Sequence, residues 1–103
     1  MTSGVSTTTV GTTRRIVLRG EITDAESADF RTVLVDAIMR ERPAGIVVDL
    51  SAVTRLDDTA LGALLAAADI TGDRSVGLEI RCDRANLVED LRAVGFNGVI
   101  TSV

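Results

Sequence analysis

The alternation of apolar and polar positions divides the chain into segments of two periodicities. Thr7 to Val10 and Arg15 to Leu18 are rich in β-branched residues and flank Gly11-Thr12-Thr13, which predicts a hairpin. Gly20 is expected to close it, with Thr23 or Asp24 capping the next element. Phe30, Val33, Leu34, Ala37 and Ile38 then recur at i, i+3, i+4, i+7 and i+8. That stripe predicts a helix running to about Arg42 and stopped by Pro43, with Val35 off the apolar face. Gly45 to Leu50 is a short continuous apolar run, the pattern of a central strand covered on both faces. Residues 51–58 read as a loop, and a second helix is expected from about Thr59 to Thr71, broken by Gly72-Asp73. Ser75 to Cys82 alternates, with Val76, Leu78, Ile80 and Cys82 on one side. Asp83 is placed to cap a third helix with Leu87, Leu91 and Val94 inward, ended by Gly95, and Val99 to Val103 forms a last strand.

The resulting order, β-β-α-β-α-β-α-β, predicts one α/β domain over residues 1–103. Its sheet would be mixed but mostly parallel, with an antiparallel hairpin at the start and residues 1–13 a loose segment or edge strand.

The second helix is apolar nearly all round. Leu61, Leu64, Leu65 and Ala68 form one stripe, while Ala63, Ala66, Ala67 and Ile70 repeat the spacing on the opposite side. Two explanations stand side by side: a surface for a partner, or alanine used for its helix propensity. At the start of this helix, Asp57, Asp58 and Thr59 put two carboxylates and a hydroxyl where unpaired N–H groups favour negative charge. One reading is an N-cap by Asp57 or Asp58; the other is an exposed recognition or phosphorylation site.

Composition removes several classes of function. The 103 residues contain no histidine, which excludes imidazole chemistry, and no lysine, so all 11 positive charges are arginine against 15 acidic residues. A net charge of −4 with only Phe30 and Phe96 as aromatics speaks against a nucleic-acid interface. No apolar run is long enough for a membrane span, and the Thr/Ser-rich start lacks the features of a secretory signal, so a cytoplasmic location is expected. Cys82, the single cysteine, fits a reducing compartment and a core position, with redox sensing as the minority alternative. Adjacent carboxylates make a poor acid–base pair, no metal-ligand spacing is present, and no enzyme activity or cofactor is expected.

Two segments carry a resemblance to a known family. Ile46-Val47-Val48-Asp49-Leu50-Ser51 followed by Leu56-Asp57-Asp58-Thr59-Ala60-Leu61-Gly62 resembles the signature of STAS domains, the anti-sigma-factor antagonists and their relatives. Leu18-Arg19-Gly20-Glu21-Ile22 resembles the family's Gly-Glu-Leu-Asp turn, with Thr23 where aspartate is usual. The resemblance implies a STAS-like fold and a protein that binds a kinase-type anti-sigma factor, thereby releasing a sigma factor to regulate transcription. In bacterial members, the serine after the signature aspartate is phosphorylated by that partner. Here Asp57 matches the signature acid and Asp58 occupies the phosphoacceptor position, leaving Thr59 as the nearest hydroxyl and fallback acceptor. Ala60 stands where glycine is usual. The expected partner surface comprises Thr23, Asp24, Asp57, Asp58, Thr59, Ala60, Gly62 and Ala63, and a homodimer is left open.

A receiver domain, suggested by Asp49 at a strand end, would need a lysine that the chain lacks. Asp49 is expected instead to bond backbone in the adjoining loop. The alternative within the same resemblance is the small cytoplasmic STAS subunit of a lipid-transport ABC complex, which carries a similar Asp-Thr turn and a Leu/Ala-rich helix.

Overall fold

The computed structural model describes residues 3–102. Five strands and three helices alternate in the expected order: β1 Gly4–Val10, β2 Thr13–Ile22, α1 Ala25–Asp36, β3 Gly45–Leu56, α2 Asp58–Asp73, β4 Gly77–Arg81, α3 Ala85–Ala93 and β5 Val99–Thr101. The strands form one sheet in the order β1-β2-β3-β4-β5. β1 runs antiparallel to β2, and every other neighbouring pair is parallel. This is the mixed sheet with an N-terminal hairpin that the chain pattern predicts. Met1 and Thr2 of the expected loose segment, and Val103 of the expected last strand, lie outside the described residues.

One apolar cluster joins alternate strand positions to all three helices. Ile16, Leu18 and Ile22 of β2, Ile46, Val48 and Leu50 of β3, and Ile80 pack with Phe30 and Leu34, Leu61 and Leu64, and Leu87 and Leu91. The other sheet face is different. Arg15, Val17, Val47, Glu79 and Arg81 are only half-buried there. Burial on both faces, expected for Gly45 to Leu50, therefore holds only for the helix side. On the open side, Asp49 is the exception, buried beneath polar partners: its Oδ2 meets Arg15 Nη2 at 2.5 Å, and its Oδ1 accepts from Ser51 N at 2.9 Å and Ser51 Oγ at 2.6 Å. Beside it, Glu79 Oε2 accepts from Arg81 Nε at 3.1 Å and Thr101 Oγ1 at 2.8 Å.

Several boundaries differ from the sequence expectation, each for a physical reason. Gly20 does not end β2. It adopts a left-handed φ of 74° at a register shift, and the strand runs on to Ile22. The segment expected as a loop after Leu50 is strand as far as Leu56, because Val53 and Leu56 turn inward and pair beside Gly20 and Ile22. α1 ends at Asp36 and relaxes into a π-helical turn, Ala37–Glu41, which keeps Ala37 and Ile38 buried; Arg42, at φ 47°, closes it before Pro43. Gly72 and Asp73 remain helical, and Thr71 is buried with its hydroxyl bonded to the Ala67 carbonyl at 2.7 Å. In α3 the cap position is Arg84 rather than Asp83, and Val94 is exposed because Phe96, after the Gly95 turn, fills the core position instead.

α2 also sorts its residues differently from the two-stripe expectation. Ala60, Leu61, Leu64, Ala67 and Thr71 are buried, Leu65, Ala68, Ala63 and Ile70 are half-buried, and Gly62 and Ala66 are exposed. The apolar surface all round is thus mostly absorbed by the core and its margins.

Candidate functional site

Parallel β2 and β3 end at the same level, with Ile22 opposite Leu56, so their continuations emerge side by side. Asp57 N–H donates to the Ile22 carbonyl at 3.1 Å, fixing that juxtaposition. Asp57 is extended (φ −86°, ψ 175°) and is the N-cap of α2; its Oδ1 accepts from Ala60 N at 2.9 Å. Of the two caps the sequence allowed, the first aspartate is used.

The same carboxylate reaches across to α1. Oδ1 accepts from Ser27 Oγ at 2.6 Å, and Oδ2 accepts from Asp24 N at 3.1 Å. Ser27 is fully buried, and its hydroxyl also lies 3.2 Å from the Ile22 carbonyl. A hydroxyl has one proton, so the shorter, charge-assisted bond to Asp57 takes the larger share. Desolvation works to raise the Asp57 pKa. The donors from Ser27, Ala60 and Asp24, with the charge of Arg55, outweigh it and hold the carboxyl below its ordinary value.

Asp24 does not cap α1 through its side chain. It occupies the cap position with φ 49° and ψ −111°, a conformation unfavourable for any residue with a Cβ. Local bonds hold it there: its N–H is bound by Asp57 and its carbonyl accepts from Ala28 N at 3.1 Å. The strained turn and the start of α2 are therefore joined through one carboxylate.

Around this part-buried joint, the expected surface residues separate by exposure. Asp58, Thr59, Gly62 and Asp24 are exposed, and Thr23 and Ala63 are half-buried. Ala60, assigned to the partner surface from the sequence, is completely buried, because the third residue of α2 turns beneath the helix toward the sheet. Its extra methyl packs in the core. Asp57 is likewise committed to internal bonds, so the free carboxylate at this helix start is Asp58. No hydrogen bond or ion pair engages the Asp58 or Thr59 side chain among the described residues.

The sequence reading missed a neighbour of this surface. Ala28, Arg31, Thr32, Val35 and Asp36 of α1 line a groove of about 410 Å3 that Thr59 closes from the α2 side. Val35, 43% exposed, is its apolar element. The available signal was its position off the buried stripe.

Asp57, wrapped by three donors, is a structural acceptor rather than a proton-transfer group. No cluster of three or more His, Cys, Asp or Glu able to hold a metal occurs among the described residues. Cys82 is buried next to the end of β4, with its N–H bonded to Thr101 O at 2.9 Å. No helix among the described residues is long and apolar enough to cross a membrane.

With this geometry, the family comparison is decisive. A family profile described as "Mlab, STAS domain" matches residues 5–101. The chain belongs to the STAS domain family. Among solved structures, this STAS domain is similar to the anti-sigma factor antagonist SpoIIAA in its unphosphorylated form, with a TM-score of 0.83 at 14% identity over 97% of this chain and 89% of that one. An anti-sigma factor antagonist from Mycobacterium paratuberculosis gives 0.80 at 18% identity, over 97% and 86%. A serine-to-glutamate variant of RsbS from Moorella thermoacetica gives 0.82 at 15% identity, over 96% and 86%. At these identities the likeness shows the shared fold. No curated protein matched in the sequence comparison.

Proposed function

We propose that this STAS domain is an anti-sigma factor antagonist that acts by binding, not catalysis, with Asp58 standing where family members carry a phosphorylatable serine. The observation that carries the reading is the division of labour between adjacent aspartates. Asp57 is consumed by internal bonds, which leaves Asp58 and Thr59 presented at the open start of α2 beside the Thr23-Asp24 turn.

A carboxylate supplies one negative charge on a short arm, against about −1.5 to −2 and three acceptor oxygens for a phosphoserine. Asp58 therefore imitates a phosphorylated residue only in sign. The switch found in serine-bearing members is absent at this position, and the domain is competent to bind without a phosphorylation cycle there. Calorimetric titration with the kinase-type anti-sigma factor tests the surface. Asp58→Arg is expected to abolish binding while the circular dichroism spectrum stays native; unchanged affinity would count against it. Incubation with the same partner and ATP is expected to leave the wild-type chain unmodified and to phosphorylate Asp58→Ser. Stoichiometric phosphate on wild-type Thr59 would overturn the absence of a switch.

A second reading is the small cytoplasmic STAS subunit of a lipid-transport ABC complex. It is favoured by the matching family description, which names Mlab, and by the Asp-Thr start of a Leu/Ala-rich α2. Capture of partners by the native chain separates the two: a kinase-type anti-sigma factor supports the first, an ABC ATPase the second.

A further inference from the structure

The two edges of the sheet are guarded very differently. β5 is only three residues long, which limits how much strand it can offer. β1 is seven residues, Gly4-Val5-Ser6-Thr7-Thr8-Thr9-Val10, pairing with β2 in an unbroken register without a bulge. It contains no proline and no charged residue. Those are the devices by which monomeric proteins block strand addition, and β1 has none of them. Among the described residues no backbone hydrogen bond reaches its outer edge; the bonding of β1 is the ladder to β2 and one side-chain bond, from Arg14 Nη1 to Thr9 Oγ1 at 2.6 Å.

From these features we infer that β1 is a dimerisation edge, joining two copies of this chain by antiparallel pairing across a two-fold axis at Thr7. The occupant is set by the sequence of the strand itself. Pairing about Thr7 sets Ser6 against Thr8 and Val5 against Thr9, so hydroxyl and β-branched side chains meet one another and no like charges are opposed. It also sets Val10 against Gly4. Val10 is 68% exposed, the most exposed large apolar side chain among the described residues, and the glycine opposite offers it room. A chain with net charge −4 repels its own copy in general, and a strand that carries no charged residue of its own, with only the Arg14 guanidinium reaching over it at Thr9, is where that repulsion is weak.

The result is a continuous ten-stranded sheet across two chains, using none of the residues at the start of α2. One strand pair buries less area than a standard stable interface, so the dimer is in exchange with monomer, with a dissociation constant in the micromolar range.

Sedimentation velocity of the full chain across the micromolar range tests this. The wild type is expected to shift from monomer to dimer with concentration, and Thr7→Lys to remain monomeric, because two ammonium groups then meet at the axis. Thr7 is exposed, so the substitution leaves the monomer's core alone. An equimolar mixture of Thr7→Lys and Thr7→Glu is expected to restore a dimer as the heterodimer. Hydrogen exchange supplies a second reading: amides of residues 4–10 that face outward gain protection at high concentration in the wild type and not in Thr7→Lys. A wild type that stays monomeric overturns the inference, whether or not the edge takes a strand from another protein. So does a Thr7→Lys variant that dimerises as well as the wild type, or a charge-paired mixture that fails to associate.

Discussion

Ser27 Oγ and Asp57 Oδ1 lie 2.6 Å apart across thirty residues of sequence, and this bond ties the first turn of α1 to the cap of α2. Ser27 is completely buried, so its hydroxyl has no water to fall back on. Ser27→Ala should cost about 1.5–2 kcal/mol in urea unfolding, the lower part of the range for a hydrogen bond to a charged group, because the pair is only part-buried. Asp57→Ala should cost more, about 2–3 kcal/mol, since it removes the helix cap as well. The double variant should fall short of the sum by at least ~0.5 kcal/mol, the mark of a direct interaction.

Asp58 and Ala60 stand two residues apart on opposite sides of the helix surface, and their substitutions should diverge accordingly. Asp58→Ala removes a charge from the first turn only and should change stability by less than about 1 kcal/mol. Ala60→Gly removes a buried methyl and adds backbone freedom, which together should cost about 1–2 kcal/mol. Binding should respond in the reverse order, strongly to Asp58 and weakly to Ala60. Equal unfolding midpoints for the two variants would contradict the burial of Ala60.

Acid should unfold the domain through carboxylates that the native state holds ionised. Asp49, Asp57 and Glu79 are all lowered. For Asp49, the Ser51 donors and Arg15 overcome desolvation; for Glu79, bonds from Thr101 and Arg81 dominate. A depressed native pKa means that the unfolded chain binds more protons, so stability rises with pH across that window. The contribution is complete above the unfolded values, about 4 to 4.5, and drains away as pH falls through the lower native ones. The melting temperature should therefore be insensitive to these groups between pH 7 and 5 and should drop steeply below about pH 4. Asp57→Asn should start lower and show a shallower drop.

Cys82 should be silent in the native state. Burial raises its thiol above the ordinary value, which leaves little thiolate at neutral pH, and the surrounding core blocks access. Iodoacetamide labelling at pH 7.5 should be negligible for the folded chain and complete in denaturant. Rapid native labelling would place this thiol at the surface.

The element order and the helix-facing core were legible because they rest on periodicity. Ile16 and Leu18, Phe30 and Leu34, and Leu64 and Leu91 all lie where their spacing puts them. The features that failed to show were decided by contacts between distant segments. The extension of β3 to Leu56 depends on pairing with Gly20 and Ile22, and nothing within residues 51–56 alternates clearly enough to announce it. The burial of Ala60 depends on how α2 is rolled over the sheet, which a helix apolar on most sides leaves open. Asp57 was visible as a cap, yet its grip on Ser27 and Asp24 was not, because a serine within α1 has no sequence mark that names its partner. The open face of the sheet was hidden for a related reason. Val47 reads as core in a one-dimensional pattern, and only the placement of all three helices on the other side shows that it is not.

The run of β3 from Gly45 to Leu56, with Asp57 alone between it and α2, has a thermodynamic consequence for recognition. The surface that Asp58 and Thr59 occupy is mounted directly on the central ladder rather than on a loop. A partner meeting it has no segment to order on this side, so association loses little conformational entropy here. Its heat-capacity change should match rigid docking of two preformed surfaces, and should stay well below the values that accompany coupled folding.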